Sequence, residues 1–136
     1  MKEWFQLMDQ LAPSVVKIET PTGSGTGFLC AYNEAGALTA IATAHHVVEE
    51  ADKWQQPIRI HLRTNTVLLQ EPDRVILSDK DRATDSAVIM ASPLALITLQ
   101  LPKNPVPLAP SGRHLKVGVE VGWFAILASA PKPSVF

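Results

Sequence analysis

Short runs of alternating or β-branched residues recur along this chain about every 8 to 15 residues, separated by turn-forming clusters, and no long helical period comes between them. This spacing constrains the fold more than any other feature. The cleanest run is Ile58-Arg-Ile-His-Leu-Arg63, apolar on one face and polar on the other, as in a half-buried strand. Further strands are expected at 14–20, 28–32, 37–43, 66–70, 73–77 and 86–90. Pro21-Thr-Gly-Ser-Gly-Thr-Gly27 reads as a turn cluster, Asn33-Glu-Ala-Gly36 as a hairpin turn, and 78–84 as an exposed loop. The segment 47–54 reads as a helical turn or a loop. Only 3–11, with Trp4, Phe5, Met8 and Leu11 at helical spacing, reads as an amphipathic helix, and Pro13 ends it. The pattern is that of an all-β barrel or sandwich with a short N-terminal helix.

The pattern breaks after residue 91. Pro93, Pro102, Pro105, Pro107 and Pro110 make 92–114 a poor strand and a worse helix, so it reads as an extended linker. A strand-hairpin pattern, Leu115-Lys-Val-Gly-Val-Glu-Val-Gly-Trp-Phe-Ala-Ile-Leu127, follows it. The expected organisation is a helix at 1–12, a barrel at 13–91, a linker at 92–114 and the start of a second unit at 115–136. At 136 residues with 46% apolar composition, the chain holds enough for one real core. A formal net charge of −1 argues against a dedicated nucleic-acid or membrane-surface binder. Cys30 is a lone cysteine, so no internal disulfide forms, which suits a reducing compartment. The start, Met1-Lys-Glu-Trp-Phe-Gln6, does not read as a signal peptide, and no stretch is long enough to span a bilayer. A soluble, cytoplasmic protein is expected, or a periplasmic one were the chain a mature form.

Chemistry concentrates at Ala40-Ile-Ala-Thr-Ala-His-His-Val-Val48. A histidine at the end of a buried strand is well placed as a general base, since it titrates near neutrality and the strand fixes its position. A histidine beside an apolar run is otherwise a core or surface residue. His46 gains weight from a candidate carboxylate, because a histidine base needs an acid on its other nitrogen to fix the tautomer. Asp85 is that candidate, at the junction of a polar loop and the apolar run Ser86-Ala-Val-Ile89; its alternative role is to cap a turn. Asp79 and Asp81 are rivals, but they lie among Lys80 and Arg82 and look solvated.

Five segments together resemble the trypsin-like (chymotrypsin-fold) serine proteases, most closely the HtrA-type bacterial branch. Thr43-Ala-His-His-Val-Val48 resembles the family's Thr-Ala-Ala-His motif. Pro13-Ser-Val-Val-Lys-Ile-Glu19 and Gly23-Ser-Gly-Thr-Gly-Phe-Leu29 resemble its first two strands, and Asp85-Ser-Ala-Val-Ile89 its Asp-x-Ala-Val segment. Lys116-Val-Gly-Val-Glu-Val-Gly122 is similar to the opening strand of its second barrel. The resemblance implies a six-stranded antiparallel β-barrel, followed by the first hairpin of a missing second barrel. It implies His46 as general base and Asp85 as its orienting carboxylate. The frame favours His46 over His45 because two valines follow directly.

The family's nucleophile lies in a Gly-[Asp/Asn]-Ser-Gly-Gly segment, which none of the serines at 14, 24, 78, 86, 92, 111, 129 and 134 occupies. The expectation is therefore the N-terminal part of a serine endopeptidase acting on protein or peptide substrates, inactive alone without its nucleophile and oxyanion hole. Its partners would be the missing second barrel or, through the exposed barrel face, a second copy. The alternative is a non-catalytic protease-like barrel acting as a binding or scaffold module. No cofactor or metal is expected. Gly23, Gly25 and Gly27 fit neither a dinucleotide fingerprint nor a P-loop, and His45, His46 and Glu49 lack a third ligand and a His-Glu-x-x-His helix. Cys30 reads as a small core residue, Trp4 and Phe5 as a helix packing on the barrel, and Arg59, His61 and Arg63 as a solvated face.

Overall fold

The computed structural model describes residues 4–33, 37–78 and 84–105. It is mostly β. Helix α1 (Trp4–Leu11) leads through a 3-10 turn, Ala12–Ser14, into strands β1 (Val15–Thr20), β2 (Gly23–Tyr32) and β3 (Thr39–Thr43). Helix α2 (His45–Lys53) follows, then β4 (Ile58–Leu62), β5 (Asn65–Leu69), β6 (Arg74–Ser78) and β7 (Ala87–Ala91). All seven strands join one antiparallel sheet in the order β5-β4-β1-β2-β3-β7-β6.

Alternation decides which side of each strand turns inward. Ile58, Ile60 and Leu62 of β4 are buried while Arg59 and His61 reach the surface. Val16 and Ile18 of β1, Ile41 of β3, Val67 and Leu69 of β5, and Ala87, Ile89 and Ala91 of β7 join the same cluster. Register stacks them into rows: Ile18 lies opposite Ile60, Ile60 opposite Val67, and Ile41 opposite Ile89. Such cross-strand apolar pairs are the unit of sheet stability. Val48 and Ala51 of α2 complete the core, together with Leu96 and Leu99 from the segment after β7.

The sheet has seven strands, where the family frame predicts six, and it is a curled half-barrel: β5 and β6 each pair on one side only among the described residues. The physical reason is Pro72. It offers no N–H to a ladder, and Glu71–Asp73 turn into a 3-10 corner that cuts one long strand in two. Asp73 fastens the corner, since the Gln70 N–H donates to its carboxylate at 3.1 Å. The half before the corner pairs with β4 and the half after it with β7. The two edges of the sheet are thus consecutive in sequence, with only residues 70–73 between them.

Arg74, the first residue past the corner, is buried. Its guanidinium donates to the Leu69 carbonyl at 3.0 Å and to the Ala51 carbonyl at 3.2 Å, tying the corner to α2. Burial lowers its pKa, and Asp52, Glu71 and Asp73 oppose that shift.

Other expectations are corrected in detail. The glycine cluster is not a turn: β2 already begins at Gly23, and the turn is Pro21–Thr22. Within 92–105 the chain is not simply extended, because residues 93–96 turn and Ile97–Leu99 form a 3-10 helix that buries Leu96 and Leu99. Burying each of these leucines contributes about 1.5–3 kcal/mol. The Tyr32 hydroxyl donates to the Pro102 carbonyl and holds this segment against β2. Phe5 on α1 is exposed rather than packed. The hairpin turn at 34–36, Asp79 and Asp81, and the hairpin expected at 115–127 lie outside the described residues.

Candidate active site

The β3–β7 ladder builds the site. Thr43, the last residue of β3, pairs with Ala87, the first of β7. The strands are antiparallel, so residues two beyond Thr43 and two before Ala87 leave the sheet at the same end and level. Those residues are His45 and Asp85. The ladder runs one step further there: the His45 N–H donates to the Asp85 carbonyl at 3.2 Å. The Thr43 hydroxyl, donating to the Thr26 carbonyl at 2.9 Å, fixes the end of β3 against β2.

At this point the chain turns into α2. Its N-cap position is Ala44, which is extended and has no side chain able to cap. The first turn of a helix leaves N–H groups without partners. Asp85 supplies the missing acceptor from 39 residues away, its Oδ1 taking the His46 backbone N–H at 2.8 Å. This is the contact an N-cap aspartate makes, delivered from another segment. The other oxygen, Oδ2, meets His46 Nδ1. One carboxylate thus holds both the backbone and the ring of His46. The bond from the His46 ring lowers the Asp85 pKa, and the bond from the His46 N–H adds to the effect.

The tautomer follows from this geometry. An ionised carboxylate only accepts, so Nδ1 carries the proton and the lone pair of neutral His46 lies on Nε2. Nε2 has no partner among the described residues. The His46 side chain is 70% exposed, open to whatever approaches.

Helix α2 sits close on β2 because Gly25 has no side chain. A Cβ built there would lie 2.4 Å from Val47 Cγ2 and 2.9 Å from Cγ1. Val47 follows His46 directly, so this glycine sets how near the histidine-bearing turn comes to the sheet. Gly27 is equally tight, against Ile18, Ala42 and Ile41.

The sequence-derived pair, His46 and Asp85, is therefore brought together. His45 is not part of the contact with the carboxylate: its Nε2 lies 3.9 Å from Glu49 and its Nδ1 is buried with no hydrogen-bond partner. Among the described residues no three His, Cys, Asp or Glu side chains gather as a metal site, and no helix is long and apolar enough to cross a membrane. Cys30 lies at a register shift in β2, with its thiol on the Ala40 carbonyl at 3.4 Å. The sequence reading missed Gly25 and Arg74. Glycine inside a strand can mark a close approach, but nothing local to Gly25 says that Val47 is what approaches.

No family model matches the chain, and no curated protein does. Among solved structures the chain is similar to Rv3671c from M. tuberculosis H37Rv, crystallised as a serine-to-alanine mutant in an inactive form. The two share 22% identity with a TM-score of 0.49, over 81% of this chain and 42% of that one. The chain thus spans less than half the length of that protein.

Proposed function

We infer that this chain carries the histidine and aspartate of a Ser-His-Asp peptidase site of the trypsin-like type, HtrA branch, whose serine comes from outside these residues. The observation that carries the reading is the double hold of Asp85 on His46, through the backbone N–H at 2.8 Å and through Nδ1. It leaves Nε2 as the basic atom, presented to solvent. In the reaction His46 Nε2 takes the proton of the serine hydroxyl as that oxygen attacks the peptide carbonyl. Asp85 stabilises the imidazolium that results, and His46 then gives the proton to the leaving amine. The substrates are proteins or peptides. The chain alone, with no serine in a Gly-[Asp/Asn]-Ser-Gly-Gly segment, is inactive.

The reading expects a longer protein, and the test uses it. Downstream sequence should encode the missing serine segment, and peptide hydrolysis should fall on the order of 10⁶-fold in His46→Ala and about 10⁴-fold in Asp85→Asn. A longer protein that cleaves peptides equally well without His46 would refute the reading. The lack of a nucleophile in this chain favours a second reading, a protease-like binding or scaffold module, in which His46→Ala leaves the biological activity intact.

A further inference from the structure

Three strands from the His46–Asp85 pair, the outer face of β1, β4 and β5 holds a hydroxyl–imidazole–carboxylate relay. His61 on β4 stands opposite Thr66 on β5 and opposite Lys17 on β1. Its Nδ1 lies 2.9 Å from Thr66 Oγ1, and its Nε2 lies 3.2 Å from Glu19 Oε1. The Arg59 guanidinium lies 3.9 Å from the same Glu19 oxygen. The sequence suggests a solvated face here, yet the Glu19, Arg59 and His61 side chains are each only 26–28% exposed. Thr66 itself is exposed, on a strand that pairs only on its β4 side among the described residues.

The hydrogen bonds assign the tautomer. The Glu19 carboxylate only accepts, so neutral His61 donates from Nε2 and keeps its lone pair on Nδ1, where the Thr66 hydroxyl donates to it. A nucleophile within hydrogen-bond reach of a base, with the base oriented by a third group, is the arrangement that activates a hydroxyl. We propose that Thr66 is an acyl-accepting nucleophile for activated carboxylic esters, with His61 as its base and Glu19 as the orienting group. Thr66 Oγ1 attacks the ester carbonyl while its proton passes to His61 Nδ1. The carbonyl–oxygen bond to the leaving group breaks, the alkoxide or phenoxide departs with the electron pair, and His61 returns its proton to solvent. The product is an acyl-threonine ester, and the imidazolium formed on the way is held by Glu19.

The test treats the full chain with p-nitrophenyl acetate and maps the acetyl group by peptide mass spectrometry. Lysines, Lys17 among them, take acetyl as amides, which hydroxylamine leaves intact; an ester on Thr66 is cleaved by it. The expected result is a hydroxylamine-labile acetyl on Thr66, retained in Thr66→Ser and absent in Thr66→Val, a variant that keeps the β-branched shape. Its rate of formation should fall about 100-fold in His61→Gln, the scale of a general base, and fall also in Glu19→Gln. Acetyl found on lysines alone, or Thr66 labelled equally fast in folded His61→Gln, overturns the proposal.

Discussion

Replacing Gly25 with alanine tests how the His46 turn is seated. The added Cβ would lie 2.4 Å from Val47 Cγ2, against an ordinary carbon contact of about 3.5–4.0 Å. About 1 Å of retreat is required. Val47 cannot provide it by rotating, because a β-branched residue in a helix has one strongly preferred rotamer and its Cγ1 is also crowded, at 2.9 Å. The first turn of α2 must therefore move, and with it the 2.8 Å bond from the His46 N–H to Asp85. Overpacking of this kind costs about 1–3 kcal/mol, and the reduced freedom of the unfolded chain returns about 0.4–1 kcal/mol. The balance centres on a net destabilisation of about 1.3 kcal/mol. Urea unfolding of the wild type, Gly25→Ala, Val47→Ala and the double variant measures it. Val47→Ala removes the two methyls that clash, so the double variant should recover most of the loss from Gly25→Ala, with a coupling of about 1 kcal/mol or more. In NMR spectra the His46 amide should shift in Gly25→Ala and return in the double variant. A Gly25→Ala protein as stable as the wild type, or additive losses in the double variant, would refute the reasoning.

Four further outcomes are expected. The Asp85 carboxyl titrates below its ordinary 3.8 because the His46 ring and then the His46 N–H bind its ionised form. The stability it contributes is present above about pH 4 and lost as pH falls through the lower folded value, so Asp85→Asn should flatten the acid side of the stability profile; an unchanged acid limb would contradict this. Arg74→Met takes the guanidinium from the Leu69 carbonyl and leaves the Ala51 carbonyl with the Gln56 N–H alone, and should cost about 1–2 kcal/mol in urea unfolding, whereas a loss under about 0.5 kcal/mol would show that these bonds contribute little. Burial pushes the Cys30 thiol up from 9.0, so at neutral pH iodoacetamide should alkylate it more slowly in the folded chain than in urea; equal rates would exclude the effect. Val75 and Leu77, exposed on the edge strand β6, should drive self-association that Leu77→Lys abolishes, and a strict monomer at high concentration by light scattering would count against it.

Much of the fold was legible because it rests on local alternation. Ile58, Ile60 and Leu62 announce a half-buried strand, and 66–70 and 73–77 are expected as separate strands. The start of α2 was not legible. Its cap is not in its own sequence, since Ala44 offers no acceptor and Asp85 arrives from across the sheet. The pairing of His46 with Asp85 was anticipated from the chemistry a histidine base needs, but the register that enforces it, Thr43 opposite Ala87, is a long-range fact. The glycines of β2 were read as turn formers because that is glycine's commonest local meaning, and only the packed helix reveals that Gly25 leaves room for Val47. Nothing in the sequence singles out Arg74 within the expected strand 73–77; two carbonyls from separate elements, Leu69 and Ala51, account for its burial.

The remote cap has a consequence for how the molecule opens. A nine-residue helix is too short to persist alone in water, and the group that starts α2 belongs to the approach to β7. The amides of α2 and of β7 should therefore exchange with solvent as one cooperative unit, with a common opening free energy. Whenever β7 peels away, the histidine loses its carboxylate and its helix in the same event, so no form with β7 detached retains the pair.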